Sequence, residues 1–171
     1  FYLVIFMSIF VFTNLFINKI YNINVDTIRH SFFTVVSLIT TTGFVTENFE
    51  LWPNFSVTIC FFLLFVGGTA GSTTGGIKII RSLLIFKYLY YELKKLIHPN
   101  GVYTIKIGSK VIDDNIIKNT LGFYLFYILI FVLFAFFISS YNIDLVTSLT
   151  ASASAIGNIG PGLGDIGPHD N

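Results

Sequence analysis

Residues 119–143, centred on FYLFYILIFVLFAFFI, run for 25 residues without a charged side chain. Wound as a helix, such a stretch reaches about 37 Å, more than the ~30 Å hydrocarbon core of a bilayer. A segment like this has to be solvated by lipid or by other apolar helices, so the rest of the chain is read as a membrane protein. Composition agrees: 54% of residues are hydrophobic and 11% charged, whereas a soluble domain carries about a quarter charged residues. The single cysteine, Cys60 in SVTICFFLLFV, rules out a disulfide framework and reads as an apolar core or lipid-facing residue. A net charge of +1 supplies no bulk basicity for nucleic acid. The opening FYLVIFMSIFVFTNLFI has no basic leader, no small-residue cleavage site and no initiator methionine, so it is not read as a signal peptide. The sequence is expected to be a piece of a longer protein, ending in GDIGPHDN before a closing element.

Three further apolar blocks precede that stretch. Residues 1–17 are free of charge and are expected to span the membrane. Residues 51–77 are uncharged, but their second half, GGTAGSTTGG, cannot be ordinary helix. Residues 77–96 resume helical character with Lys78, Arg81, Lys87, Lys94 and Lys95 along them. Residues 26–39 read as a helix of about 21 Å, too short to cross, which ends in TTTGF and suggests a segment that enters the membrane and returns. Eight of the ten basic residues lie between Lys78 and Lys118 against three acids, so the positive-inside rule makes this segment cytoplasmic. The acid-rich remainder, including both glycine turns, is expected to face outside.

This layout implies a repeat. Superimposing Gly43 on Gly160, an offset of 117, pairs Ser31 with Ser148, Ser37 with Ser154 and Ile39 with Ile156. Asp26 and Asp144 then fall one position apart, each expected at a helix N-terminus where a carboxylate offsets the dipole. Each unit reads as spanning helix, short helix, glycine turn, spanning helix, the last of these missing from the second unit.

A re-entrant turn leaves backbone groups unpaired, which is tolerated at membrane depth only inside protein or beside water. Its productive use is a ring of carbonyls that replaces the hydration shell of a cation. Thr41, Thr42 and Gly43 supply such a strand, with Phe44 where an aromatic wedge would sit; a plain helix C-cap at Gly43 fits the same letters. Asn158, Ile159 and Gly160 take the corresponding places in the second unit, after the small-residue helix LVTSLTASASA. Ten of the fourteen glycines fall within residues 67–76 and 157–167, which indicates specialised backbone. The first window, with Gly67, Gly68, Gly71, Ser72, Thr73, Thr74, Gly75 and Gly76, reads as a flexible, hydrated plug on the cytoplasmic side of the first turn.

TTTGF followed by ELWP, then GGTAGSTTGGIK, then NIGPGLG resembles the Trk/Ktr/HKT superfamily of potassium transporters, and most of all its Trk-type membrane subunits. The resemblance implies an all-α membrane protein of repeated membrane helix, re-entrant pore helix, filter loop and membrane helix units. Residues 1–96 would be the third pore repeat, 97–118 a cytoplasmic basic link, and 119–171 the fourth repeat without its final helix. It further implies potassium uptake across the cell membrane, gating by the intramembrane glycine loop, and a multi-pass homodimer on cytosolic nucleotide-binding regulatory subunits. The chain itself would bind no cofactor, K⁺ being the transported ion. The fourth filter departs from the T-x-G pattern, and Pro161 replaces an aromatic.

Two other readings stand beside this one. A Na⁺-selective or Na⁺/H⁺-coupled transporter of the same superfamily would share these motifs. A nucleotide-binding membrane protein is suggested by GSTTGGIK, whose Lys78 is one place late for a phosphate loop, and by GLGDIG, which no strand precedes. His30, His98 and His169 lie on separate segments and do not suggest a metal site. Trp52 is expected at the membrane interface, and Glu47, Glu50, Asp165 and Asp170 at the outer mouth as cation attractors or solvated loop charges.

Overall fold

The computed structural model describes residues 1–20, 25–98, 101 and 104–168; His169 and Asp170 from the sequence reading lie outside them. Among the described residues there are six α-helices, grouped as two units. The first comprises α1 (Tyr2–Ile17), α2 (Val25–Ile39), α3 (Asn54–Leu63) and α4 (Ile79–Ile97). The second comprises α5 (Asp114–Ser139) and α6 (Leu145–Gly157).

Helix ends follow local chemistry. Asp144 is the N-cap of α6, its carboxylate accepting the N–H groups of Val146 and Thr147 at 2.9 and 3.1 Å. Asp26 lies in the first turn of α2, paired with Arg29 at 3.1 Å. The Asp113 cap, accepting Asn115 N–H, starts α5 five residues ahead of the uncharged stretch. Among the described residues, α5 is the helix long and apolar enough to cross a membrane. The expected span at residues 1–17 forms 16 residues of helix, about 24 Å. The uncharged block at 51–77 forms only ten residues of helix before the chain breaks.

At that break, β1 (Val66–Gly67) pairs in parallel with β2 (Ile77–Lys78), which closes the glycine-rich segment into a loop with a hydrogen-bonded neck. Further on, β3 (Lys106–Ile107) and β4 (Lys110–Val111) form a small hairpin within the basic link. Lys87 on α4 donates to the Lys106 carbonyl at 2.7 Å, and Leu84, Ile105 and Ile117 pack beneath, so α4, the hairpin and α5 are held together.

One apolar core is shared by both units. Val11 and Leu15 of α1, Val35 and Leu38 of α2, and Cys60 and Leu63 of α3 pack with Ala153 of α6 and with Ile159 and Leu163 beyond it. Trp52, expected at the interface, is 3% exposed in this core beside Phe49. The 3-10 turn Phe49–Leu51 folds both rings inward, a placement that local sequence does not encode.

Candidate functional site

Both short helices end in the same cap. In α2 the Thr42 N–H returns to the Ser37 carbonyl at 3.1 Å and the Thr41 N–H to Leu38 at 3.2 Å. In α6 the Ile159 N–H returns to Ser154 at 3.0 Å and the Asn158 N–H to Ala155 at 3.2 Å. This is the Schellman pattern, with Thr41 and Asn158 in the left-handed conformation at φ 54° and 52°. The offset of 117 between the two turns therefore extends to individual hydrogen bonds. It also separates two functions that the sequence left merged: the cap residue is Thr41, and Gly43 lies beyond it.

Gly43 has its own reason to lack a side chain. Its φ is +70°, and a Cβ there would lie 2.0 Å from the Ile159 carbonyl oxygen and 3.0 Å from Pro161 Cδ. The two glycine turns, over a hundred residues apart in sequence, thus meet backbone to backbone. Both short helices also direct the partly negative ends of their dipoles at this junction, which favours a cation.

The first turn is fastened from behind. Ser37 Oγ donates to the Phe44 carbonyl at 2.7 Å, while Thr42 Oγ1 lies 3.3 Å from Ser37 Oγ and 3.3 Å from Thr40 Oγ1. The Thr42 hydroxyl is therefore turned toward the last turn of α2. Phe44 is 71% exposed. In the second turn Ile159 is buried, and the Gly160 N–H donates to Ser154 Oγ at 3.1 Å.

The glycine loop seats against the base of both turns. The Gly75 N–H donates to Thr41 Oγ1 at 3.4 Å, and a Cβ on Gly75 would fall 1.9 Å from the Gly157 carbonyl oxygen. The loop is internally tied, where the sequence suggested a flexible plug. Lys78 Nζ reaches Ser72 O at 2.9 Å, Ser72 Oγ at 3.3 Å and Thr74 Oγ1 at 2.9 Å, and bonds the Thr74 carbonyl as well. Gly68 N–H donates to Thr74 Oγ1 at 2.8 Å, and the Gly68 carbonyl accepts Ile79 N–H at 3.2 Å. Gly67 pairs with Lys78 in the neck, Gly76 adjoins it, and Gly71 and Thr73 are exposed. A phosphate loop gathers N–H groups around an anion, whereas this loop turns carbonyl and hydroxyl oxygens toward an ammonium ion. That polarity is the wrong one for nucleotide phosphates.

On the opposite side, the acids do more than decorate a mouth. The Glu50 carboxylate accepts the N–H of Gly164 and lies against Gly167, joining the first unit to the end of the second. His30 Nδ1 is 3.0 Å from Thr46 Oγ1, and its Nε2 is 4.0 Å from Glu47. The Thr147 hydroxyl, with the Thr147 and Val146 N–H groups, holds the Asp144 carboxyl below its usual range. Among the described residues no cluster of histidine, cysteine or carboxylates could hold a metal ion.

Sequence reasoning missed Lys78 and Glu50 as organising groups. The signal for Lys78 was a cation directly following a glycine loop in an otherwise uncharged block; nothing local marked Glu50.

Residues 1–169 match the model of the TrkH family, described as cation transport protein. The Trk system potassium uptake protein TrkH of Salmonella typhimurium is 39% identical over 150 residues, covering 88% of this chain and 31% of that protein. TrkG of Escherichia coli is 33% identical over 135 residues, 79% of this chain and 28% of that protein. The crystal structure of the potassium transporter TrkH from Vibrio parahaemolyticus superimposes with a TM-score of 0.90 at 35% identity, over 96% of this chain and 35% of that one. The chain thus spans about a third of the length of these relatives.

Proposed function

The chain belongs to the TrkH family of cation transport proteins, and from that membership we propose that it forms two of the repeats of a potassium-uptake pore in the cell membrane. The chemistry is coordination of K⁺ by the backbone at Thr41–Phe44 and Asn158–Gly160, with no covalent step and no cofactor held by this chain. The observation that carries the reading is the meeting of the two glycine turns, where Gly43 lies against the Ile159 carbonyl at the dipole ends of α2 and α6. The Gly67–Gly76 loop, seated on Thr41 and Gly157 beneath that junction, acts as the gate.

A homodimer acting with a cytosolic nucleotide-binding regulatory subunit completes the proposal, α4 and the basic link offering the surface on which such a subunit pulls. The experiment is cation flux into proteoliposomes containing the purified full-length protein. Potassium entry above that of empty vesicles, and faster than sodium entry, is expected. Flux no greater than in empty vesicles overturns the reading, and sodium entry exceeding potassium entry assigns the chain to a Na⁺-selective branch instead.

A further inference from the structure

Among the described residues, the backbone that follows the second glycine turn has no neighbouring strand to pair with. Gly162 N–H is taken by the Ile166 carbonyl and Gly164 N–H by Glu50, while three other N–H groups are met by side chains of α6. Gly160 N–H donates to Ser154 Oγ at 3.1 Å, Leu163 N–H to Thr150 Oγ1 at 3.0 Å, and Asp165 N–H to Thr147 Oγ1 at 3.1 Å. Positions 147, 150 and 154 follow the spacing i, i+3, i+7, which places them on one helix face. The contacts run in order, so one face of α6 serves as a ladder for the chain returning from Gly160 to the 3-10 turn Gly164–Ile166. The middle rung is the most enclosed. Thr150 is 1% exposed, and its oxygen also lies 3.0 Å from the Leu163 carbonyl and 2.8 Å from that of Val146, either of which can take its proton.

The first unit is held differently. At the register of Thr147 stands His30, 3.0 Å from Thr46, and at that of Ser154 stands Ser37, which donates to the Phe44 carbonyl. At the register of Thr150 stands Phe33, which has no hydroxyl. The Thr150 rung belongs to the second unit.

We propose that Thr150 is a selectivity-determining positioning residue, its buried hydroxyl fixing Leu163 and through it the curvature of the segment that carries the second glycine turn. The inference rests on the reading of these turns as an ion filter. Selection between cations depends on where the filter oxygens stand and how far they yield, whichever of cavity size or field strength dominates. Thr150 does not touch the ion. Without its hydroxyl, the Leu163 N–H and carbonyl are left buried without that partner, and the segment shifts to recover one. A buried hydrogen bond of this kind corresponds to roughly a tenfold change in an equilibrium.

The test uses the full-length protein in proteoliposomes and reads the ratio of sodium to potassium flux, which is independent of how much protein inserts. Thr150→Val preserves shape and removes the hydroxyl; it is expected to raise the ratio about tenfold. Thr150→Ser restores the hydroxyl and is expected to stay near the parent ratio. Ser154→Ala removes one oxygen from the adjacent rung and is expected to move the ratio in the same direction by less, which decides the matter if Thr150→Val fails to insert. Unchanged ratios in the hydroxyl-free variants, or an equal shift in Thr150→Ser, overturn the proposal. Gly43→Ser is measured alongside. If it alters the ratio while Thr150→Val and Ser154→Ala do not, the ladder fails and the filter reading stands. If it leaves the ratio unchanged, the filter reading falls and takes the proposal with it.

Discussion

At the scale of single residues, the site is built from conformations that side chains ordinarily avoid. Thr41 is β-branched yet left-handed at φ 54°, a geometry that costs roughly 1–2 kcal/mol and needs surrounding structure to hold it. Asn158, in the matching place, adopts that geometry more readily. Gly43 is the tighter constraint, since its dihedral disfavours a side chain and a Cβ there would fall 2.0 Å from the Ile159 oxygen. Gly43→Ser must displace the opposite turn or rotate its own carbonyl. The expected result is full-length protein that still reaches the membrane but has lost discrimination between potassium and sodium, read as a flux ratio. An unaltered ratio would remove Gly43 from the ion path.

Between elements, the loop joining β1 to β2 has a polarity of its own. Four oxygens of Ser72 and Thr74 surround the Lys78 ammonium, so the loop is held by a cation belonging to the chain. Gly75 presses this assembly against Thr41 and the end of α6. Lys78→Met keeps the aliphatic stem and removes the charge, which unties the loop without shortening it. Potassium flux through the full-length protein is expected to rise and to depend less on the proposed regulatory subunit, as it is on deleting residues 70–74. Normal, fully regulated flux in both correctly inserted variants would contradict the gate assignment.

On the scale of the whole molecule, the two units are joined by apolar packing, by close backbone approaches between their turns and by a long-range carboxylate contact. Glu50 follows the first turn and accepts the Gly164 N–H beyond the second, a link that spans 114 residues of sequence. Hydrogen bonds to charged groups contribute about 1.5–3 kcal/mol, and less where water competes. Glu50→Ala is expected to lower the thermal midpoint of the purified full-length protein by an amount matching about 1 kcal/mol, with Glu50→Gln intermediate because an amide oxygen still accepts. Equal midpoints for all three proteins would show that the contact contributes no stability. The outer faces of α5 carry exposed Leu125, Phe126 and Phe136, apolar surface suited to lipid or to the rest of a larger pore. Pro99, where a topology reporter would test the cytoplasmic assignment, lies outside the described residues.

Periodicity, charge and glycine placement determined much of this protein by themselves. A 25-residue uncharged stretch has few fates other than a long apolar helix, and α5 is one. Short helices ending in glycine turns at an offset of 117 were legible because caps and turns are local, built within a few residues of their own sequence. Membership in a cation transport family was legible for the same reason, the motifs being short and ordered. The tertiary structure alone decided what those motifs touch. That Gly43 meets Ile159, that Gly75 reaches Gly157, that Trp52 turns inward and that Glu50 accepts Gly164 are contacts between segments far apart in the chain. Each depends on how helices pack in three dimensions, and no local pattern of residue types specifies that pairing.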